Sequence, residues 1–139
     1  MLGNSSIDEL RRSLRGTVAL PGGPDYDDAR RTFNGLTDRY PKVVVRPLDT
    51  QDVRVALAFA RAHDLPVSVR GGGHSVAGHA VGEGALALDL RALAHVRVDP
   101  QRRRVRAGGG ATWRDVAFDD SGCAEWHFDG QALAMANEK

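Results

Sequence analysis

The chain is predicted to fold as an α+β domain in which a βαβ unit leads into short antiparallel strands. Three observations predict it. Lys42-Val43-Val44-Val45-Arg46 is a β-branched run stopped by Pro47, which reads as a strand. Thr50 then caps a helix, with Asp52 in its first turn, whose apolar stripe is Val53, Ala56, Leu57 and Ala60, with Phe59 beside it. Leu65-Pro66-Val67-Ser68-Val69 returns to a short apolar run that reads as a buried strand. Strand, helix and strand with short connections make a unit whose two strands run parallel.

The other elements follow in order. Ser6 with Glu9 three residues on fits a capping box, and Ile7, Leu10 and Leu14 lie on one face of the helix it would start. Gly16 ends that helix, and residues 17–20 read as a short strand before Pro21-Gly22-Gly23-Pro24. A second short helix is predicted over residues 26–33, with a turn at Asn34-Gly35. In the second half, residues 85–90, 95–98 and 104–107 read as strands. Asp99-Pro100-Gln101-Arg102 turns the last two into a hairpin. Arg102, Arg103, Arg104 and Arg106 at its tip read as solvated side chains. Gly108-Gly109-Gly110 is read as a flexible corner, after which Thr112 caps a helix beginning Trp113-Arg114-Asp115-Val116.

Composition narrows the function. A chain of 139 residues, 42% hydrophobic, sustains the core of one domain. Lys and Arg total 19 against 18 Asp and Glu, so no net field draws nucleic acid or an anionic membrane. Cys123 is the only cysteine, which excludes an intrachain disulfide and a multi-cysteine metal site. Residues 1–12 are polar without an apolar signal core, and no run approaches membrane-spanning length. A cytoplasmic protein is therefore expected.

The informative stretch is Val69-Arg70-Gly71-Gly72-Gly73-His74-Ser75-Val76-Ala77-Gly78-His79. It lies beyond the carboxyl end of a parallel strand, where ligands of such sheets sit. Three glycines let the backbone bend and let a ligand approach it closely. Main-chain N–H groups left free by the bend suit a phosphate or pyrophosphate, and Arg70 can add a fork of donors. A dinucleotide fingerprint lacks its third glycine here, and a phosphate loop would need Lys-Ser/Thr where His79-Ala80 stands. His74 and His79 have no third metal ligand at a recognisable spacing, so no metal is assigned. No G-x-S-x-G elbow surrounds Ser75. Two readings stay open for His74: pressed against a bound diphosphate ligand, or hydrogen-bonded to its own loop.

At these residues the chain resembles the N-terminal FAD-binding domain of the PCMH-type (vanillyl-alcohol oxidase-like) flavoproteins, most closely the berberine-bridge-enzyme and oligosaccharide-oxidase branch. The carrying residues run from Tyr26, Arg30-Arg31 and Phe33-Asn34 through Pro41, Val43-Val44-Val45 and Pro47 to Asp52-Val53 and Ala58-Phe59-Ala60. They continue with Pro66-Val67, Val69 to Ser75, Gly78, Leu88-Asp89-Leu90, Val98-Asp99-Pro100, Gly109, Ala111 and Trp113. The resemblance implies the first lobe of a PCMH-type domain over residues 26–116, with residues 1–25 as a lead-in. It implies FAD as cofactor, an oxidoreductase that oxidises an unidentified small molecule, and O₂ as the final oxidant. Arg70, Gly71, Gly72, Gly73, His74, Ser75, Gly78 and His79 become the cofactor-binding residues, with His74 bonded covalently to the flavin 8α-methyl group.

Residues 117–139 depart from the family pattern: every arginine lies at or before Arg114, and no valine follows Val116. Cys123 arrives without the glycine-rich run that accompanies a second flavin bond, so it is not assigned to one. The tail is read as non-homologous, and the substrate domain and any catalytic base as lying outside these residues. The alternative function is a folded remnant that holds no flavin, at most an anion-binding or interaction module.

Overall fold

The computed structural model describes residues 2–117, 125–128 and 133–136. Its central element is a four-stranded sheet in the order β1 (Thr17–Ala19), β2 (Val43–Arg46), β4 (Leu86–Asp89), β3 (Val67–Arg70). β1 runs antiparallel to β2, whereas β4 runs parallel to both β2 and β3. The βαβ unit forms as expected through α3 (Thr50–Ala62), but its two strands are not neighbours. The run at residues 85–90 supplies β4, which slots between them instead of joining the antiparallel half. An unbroken burial pattern, from Leu86 to the paired Asp89, suits that central place, since the strand is covered on both faces.

The sheet is covered on both faces. On one, Val43, Val45, Leu86 and Leu88 pack with Ala56 and Ala60 of α3 and with Leu10 of α1 (Asn4–Ser13) and Leu14. On the other, Val44 and Ala87 pack with Tyr26 and Ala29 of α2 (Tyr26–Arg30) and with Val81. The unbroken Val43-Val44-Val45 run thus serves two cores in alternation. Within the expected stripe of α3, Leu57 is exposed instead, and Val53 and Phe59 are the larger side chains packed on the core.

Helix starts differ from expectation in an instructive way. α1 begins earlier, behind Gly3, whose carbonyl oxygen accepts from the amides of Ser6 and Ile7. The Ser6–Glu9 capping box does not form, because Ser6 already lies inside the first turn. α3 is capped by Asp49, not Thr50, through its carboxylate accepting from the Asp52 amide at 2.9 Å. Asp52 is fully buried and accepts from the amides of Arg15, Gly16 and Leu48, joining the end of α1 to the β2–α3 turn. Burial alone would raise its carboxyl pKa, but these three donors hold it below the ordinary range.

β3 corrects a further expectation. Val67 and Val69 are 41% and 52% exposed, while Ser68 and Arg70 point inward. β3 is the edge of the sheet, and α3 spends its apolar stripe on β2 and β4. β5 (Val96–Asp99) and β6 (Arg104–Ala107) form the expected antiparallel hairpin, with Arg103 at a positive φ of 52° in its turn. Thr112 caps α4 (Trp113–Ala117) by a reciprocal pair with Asp115. β7 (Glu125–Phe128) pairs antiparallel with β8 (Leu133–Ala136). Cys123 lies outside the described residues.

Candidate flavin-binding loop

Because β3 and β4 are parallel neighbours, the chain must travel from the carboxyl end of one to the amino end of the other. Residues 71–85 make that crossing without a helix. They first turn over the carboxyl end of the sheet and then return along the face that holds Tyr26 and Ala29. The glycines of this segment make the path possible. Gly73, Gly78 and Gly84 have φ of 75°, 71° and 64°. A side chain on Gly78 would collide with Thr37, and Gly82 lies over Ser68, whose hydroxyl accepts from its amide at 2.9 Å.

Of the residues that sequence reading put at the site, those from Gly71 to His79 therefore sit in one loop, whereas Arg70 ends β3 with its side chain buried. Among the described residues, the main-chain N–H groups from Gly72 to Ala77 donate to no protein acceptor. Ser75 closes the far side: its carbonyl accepts from Gly78 and its hydroxyl from the His79 amide. His74 and His79 are exposed, and neither nitrogen of His74 has a hydrogen-bond partner among the described residues. Phe33, stacked on His74, and Val76 within the loop expose apolar surface beside it.

Arg70 differs from its neighbours. Its side chain is only 7% exposed and runs beneath the loop, where Nη1 donates to the Ala29 carbonyl at 2.8 Å. Its Nε is buried without a partner among the described residues and lies under Gly73, 3.1 Å from where a Cβ would stand. Burial, followed by the nearby Arg91 and Arg46 charges, lowers the guanidinium pKa from its ordinary value. Those two arginines flank the fully buried Asp89, which pairs in register with Arg70 at the carboxyl end of β4. Arg46 Nε donates to Asp89 at 2.9 Å with Nη2 in ion-pair contact at 2.9 Å, and Arg91 Nη2 donates at 2.8 Å. Burial would raise the Asp89 pKa, yet the hydrogen bonds from Arg91 and Arg46 hold it below the ordinary carboxylate range. The carboxyl end of the parallel strands thus gathers three guanidinium groups around one buried carboxylate, directly under a loop of unengaged amides.

Sequence reading did not assign the segment that braces this loop. Phe33 donates its amide to the Gly73 carbonyl, and its ring stacks on His74 at 5.3 Å. Asn34 Nδ2 donates to the Val76 carbonyl at 2.9 Å, and Arg39 Nη1 to the Gly78 and Val81 carbonyls. α2 ends at Arg30, short of the expected Phe33, because Arg31 is already extended and the chain turns here to reach the loop. The one available signal was the Phe33-Asn34 pair among the resemblance residues.

The comparisons agree with this geometry. Residues 41–118 match the family model described as FAD binding domain. The chain is 32% identical over 104 residues to (R)-6-hydroxynicotine oxidase of Paenarthrobacter nicotinovorans, covering 75% of this chain and 23% of that protein. It is 33% identical over 115 residues to the FAD-linked oxidoreductase hasG of Aspergillus fumigatus, covering 83% and 25%. The crystal structure of 6-hydroxy-D-nicotine oxidase from Arthrobacter nicotinovorans superposes with a TM-score of 0.72 at 31% identity, over 76% of this chain and 23% of that one. Xylooligosaccharide oxidase from Myceliophthora thermophila shares the fold, with a TM-score of 0.68 at 22% identity, over 76% and 23%. The chain therefore spans about a quarter of the length of these relatives. With its unengaged loop amides at the carboxyl end of a parallel sheet and this match over residues 41–118, the chain belongs to the FAD-binding domain family of the FAD-linked oxidoreductases, with the PCMH-type fold and FAD as its cofactor.

Proposed function

We propose that the loop holding Arg70, Gly71, Gly72, Gly73, His74, Ser75, Gly78 and His79 receives the FAD pyrophosphate, and that His74 is the covalent attachment point. On this reading residues 26–116 are the flavin-binding part of an FAD-dependent oxidoreductase, and substrate is met by residues outside them. The observation that carries the proposal is that, among the described residues, the main-chain amides from Gly72 to Ala77 have no protein acceptor and neither nitrogen of the exposed His74 imidazole has a partner. A diphosphate supplies the missing acceptors, and the guanidinium groups of Arg46, Arg70 and Arg91 beneath favour its charge. Arg70 acts from below, holding the loop against Ala29.

A neutral imidazole is a competent nucleophile, and glycines on its N-terminal side let the backbone reach the pyrophosphate while the ring reaches the flavin. Attachment makes one bond, from an imidazole nitrogen to the 8α carbon. The imidazole N–H and one 8α C–H leave as protons, and the two electrons released pass to O₂. Bound FAD supplies hydride acceptance from the substrate, which no side chain here could provide.

The test is to produce the chain with FAD, denature it in acid and look for yellow colour that stays with the protein. Wild-type protein is expected to keep it and His74→Ala to lose it. Colour retained in that variant overturns the covalent role. No flavin absorbance in either protein favours a folded remnant that holds no flavin.

A further inference from the structure

We propose that Phe33 is a positioning residue that sets the His74 imidazole for bond formation with flavin, and that residues 33–39 form the clasp that holds it in place. The inference rests on His74 being the attachment point, and it adds a part of the chain that the glycine motif does not contain. The two rings lie 5.3 Å apart with an interplanar angle of 29°, a stacked pair. Phe33 is nevertheless 77% exposed, so its place is not explained by burial in a core. It is tied at the main chain to Gly73, the residue before His74, and Asn34 is tied to Val76, two residues after it. Both sides of the histidine are therefore held by one neighbouring segment.

The clasp is itself anchored. Thr37 packs beneath Gly78, and Arg39 donates to the Gly78 and Val81 carbonyls where the chain leaves the loop. Arg30 pairs with Asp27 and Asp38 and lies over the Tyr40 ring at 4.1 Å. Tyr26 donates to the Pro41 carbonyl at 2.6 Å from within the core. These contacts carry rigidity from the buried sheet face out to Phe33.

The chemistry explains why an aromatic neighbour suits the task. An exposed histidine samples several staggered rotamers, of which few aim a ring nitrogen at one carbon of a bound flavin. A hydrogen bond would restrain the ring only through one of its nitrogens. Stacking restrains the ring through its face, and among the described residues no partner engages either nitrogen.

The experiment follows acid-stable flavin against time in the full chain mixed with FAD, for wild type, Phe33→Ala, Phe33→Leu and Phe33→Trp. The thermal midpoint of each variant and the His74 ring-proton shifts of the flavin-free chain are recorded beside it. Phe33→Ala is expected to attach flavin about fivefold more slowly, the size one aromatic pair supports. Its midpoint should be unchanged and the His74 protons should lose their ring-current shift. Phe33→Trp is expected to restore rate and shift, and Phe33→Leu neither. A wild-type rate in Phe33→Ala or Phe33→Leu overturns the positioning role while His74 attachment stands. A Phe33→Trp variant as slow as Phe33→Ala overturns it too. Wild-type protein without acid-stable flavin overturns both readings together, and a His74→Ala control that keeps the flavin does the same.

Discussion

Gly71-Gly72-Gly73 and Gly108-Gly109-Gly110 are the same three letters put to opposite uses. In the first, Gly73 adopts a positive φ, and the amides from Gly72 to Ala77 meet no acceptor among the described residues. In the second, Gly108 and Gly110 donate to the His95 and Leu93 carbonyls, and Ala111 closes back on Gly108. A side chain at Gly108 or Gly110 would overlap the carbonyl of Leu93 or Leu90, and one at Gly109 would come within 2.7 Å of Leu90 Cδ1. The second triplet is therefore no flexible corner: it is glycine because two stretches of backbone touch. The two also meet, since a Cβ on Gly71 would stand 2.8 Å from the Gly109 carbonyl oxygen. A glycine run thus marks either backbone kept free for a ligand or backbone pressed against backbone, and hydrogen-bond accounting tells them apart.

The largest effect is expected at Asp89, which anchors both triplets: Arg70 before the first is its register partner, and Leu90 to Leu93 after it meet the second. Asp89→Ala leaves Arg46 and Arg91 without their carboxylate and should cost about 3–5 kcal/mol in denaturant unfolding. Its depressed pKa also sets a pH dependence. The folded value lies below the unfolded one, so this stability is complete above the ordinary carboxylate range. It is lost as pH falls through the folded value. Acid unfolding should accordingly be steep in wild type and shallower in Asp89→Asn, and equal slopes would remove Asp89 from the account.

Gly110→Ala comes next, at about 3 kcal/mol, because its Cβ meets backbone that cannot step aside. Gly78→Ala should cost about 2 kcal/mol, combining a positive φ with the Thr37 side chain, and should weaken flavin retention through the loop. Gly72→Ala sharpens the comparison most with the least loss of stability. Its Cβ meets the movable His74 side chain, 2.9 Å from Cδ2, and touches Thr112 Cγ2 at 3.8 Å, so unfolding should change by under about 1 kcal/mol. Flavin attachment should nevertheless fall, measured as acid-stable absorbance. If Gly72→Ala and Gly110→Ala lose stability alike and neither affects flavin, the distinction between the triplets fails.

Much of this protein was legible in its residues. The Val43-Val44-Val45 run, the α3 stripe, the hairpin turn and the Thr112 cap are local patterns whose period or spacing states their structure. The ordered motifs from Tyr26 to Trp113 carried the family and its cofactor, because they are residue patterns read along the chain wherever the fold takes it. What remained hidden depended on partners distant in sequence. That β4 lies between β2 and β3 follows from strand pairing, and this in turn makes Val67 and Val69 edge residues with no helix above them. Whether Arg70 faces the ligand or the core is a matter of side-chain direction, settled by the Ala29 carbonyl 41 positions away. The stacking of Phe33 on His74 joins two segments across the same distance. Local sequence determined the elements and the chemistry of the loop; only tertiary packing decided which glycines stay open, since a backbone amide is free or engaged according to what the fold brings beside it.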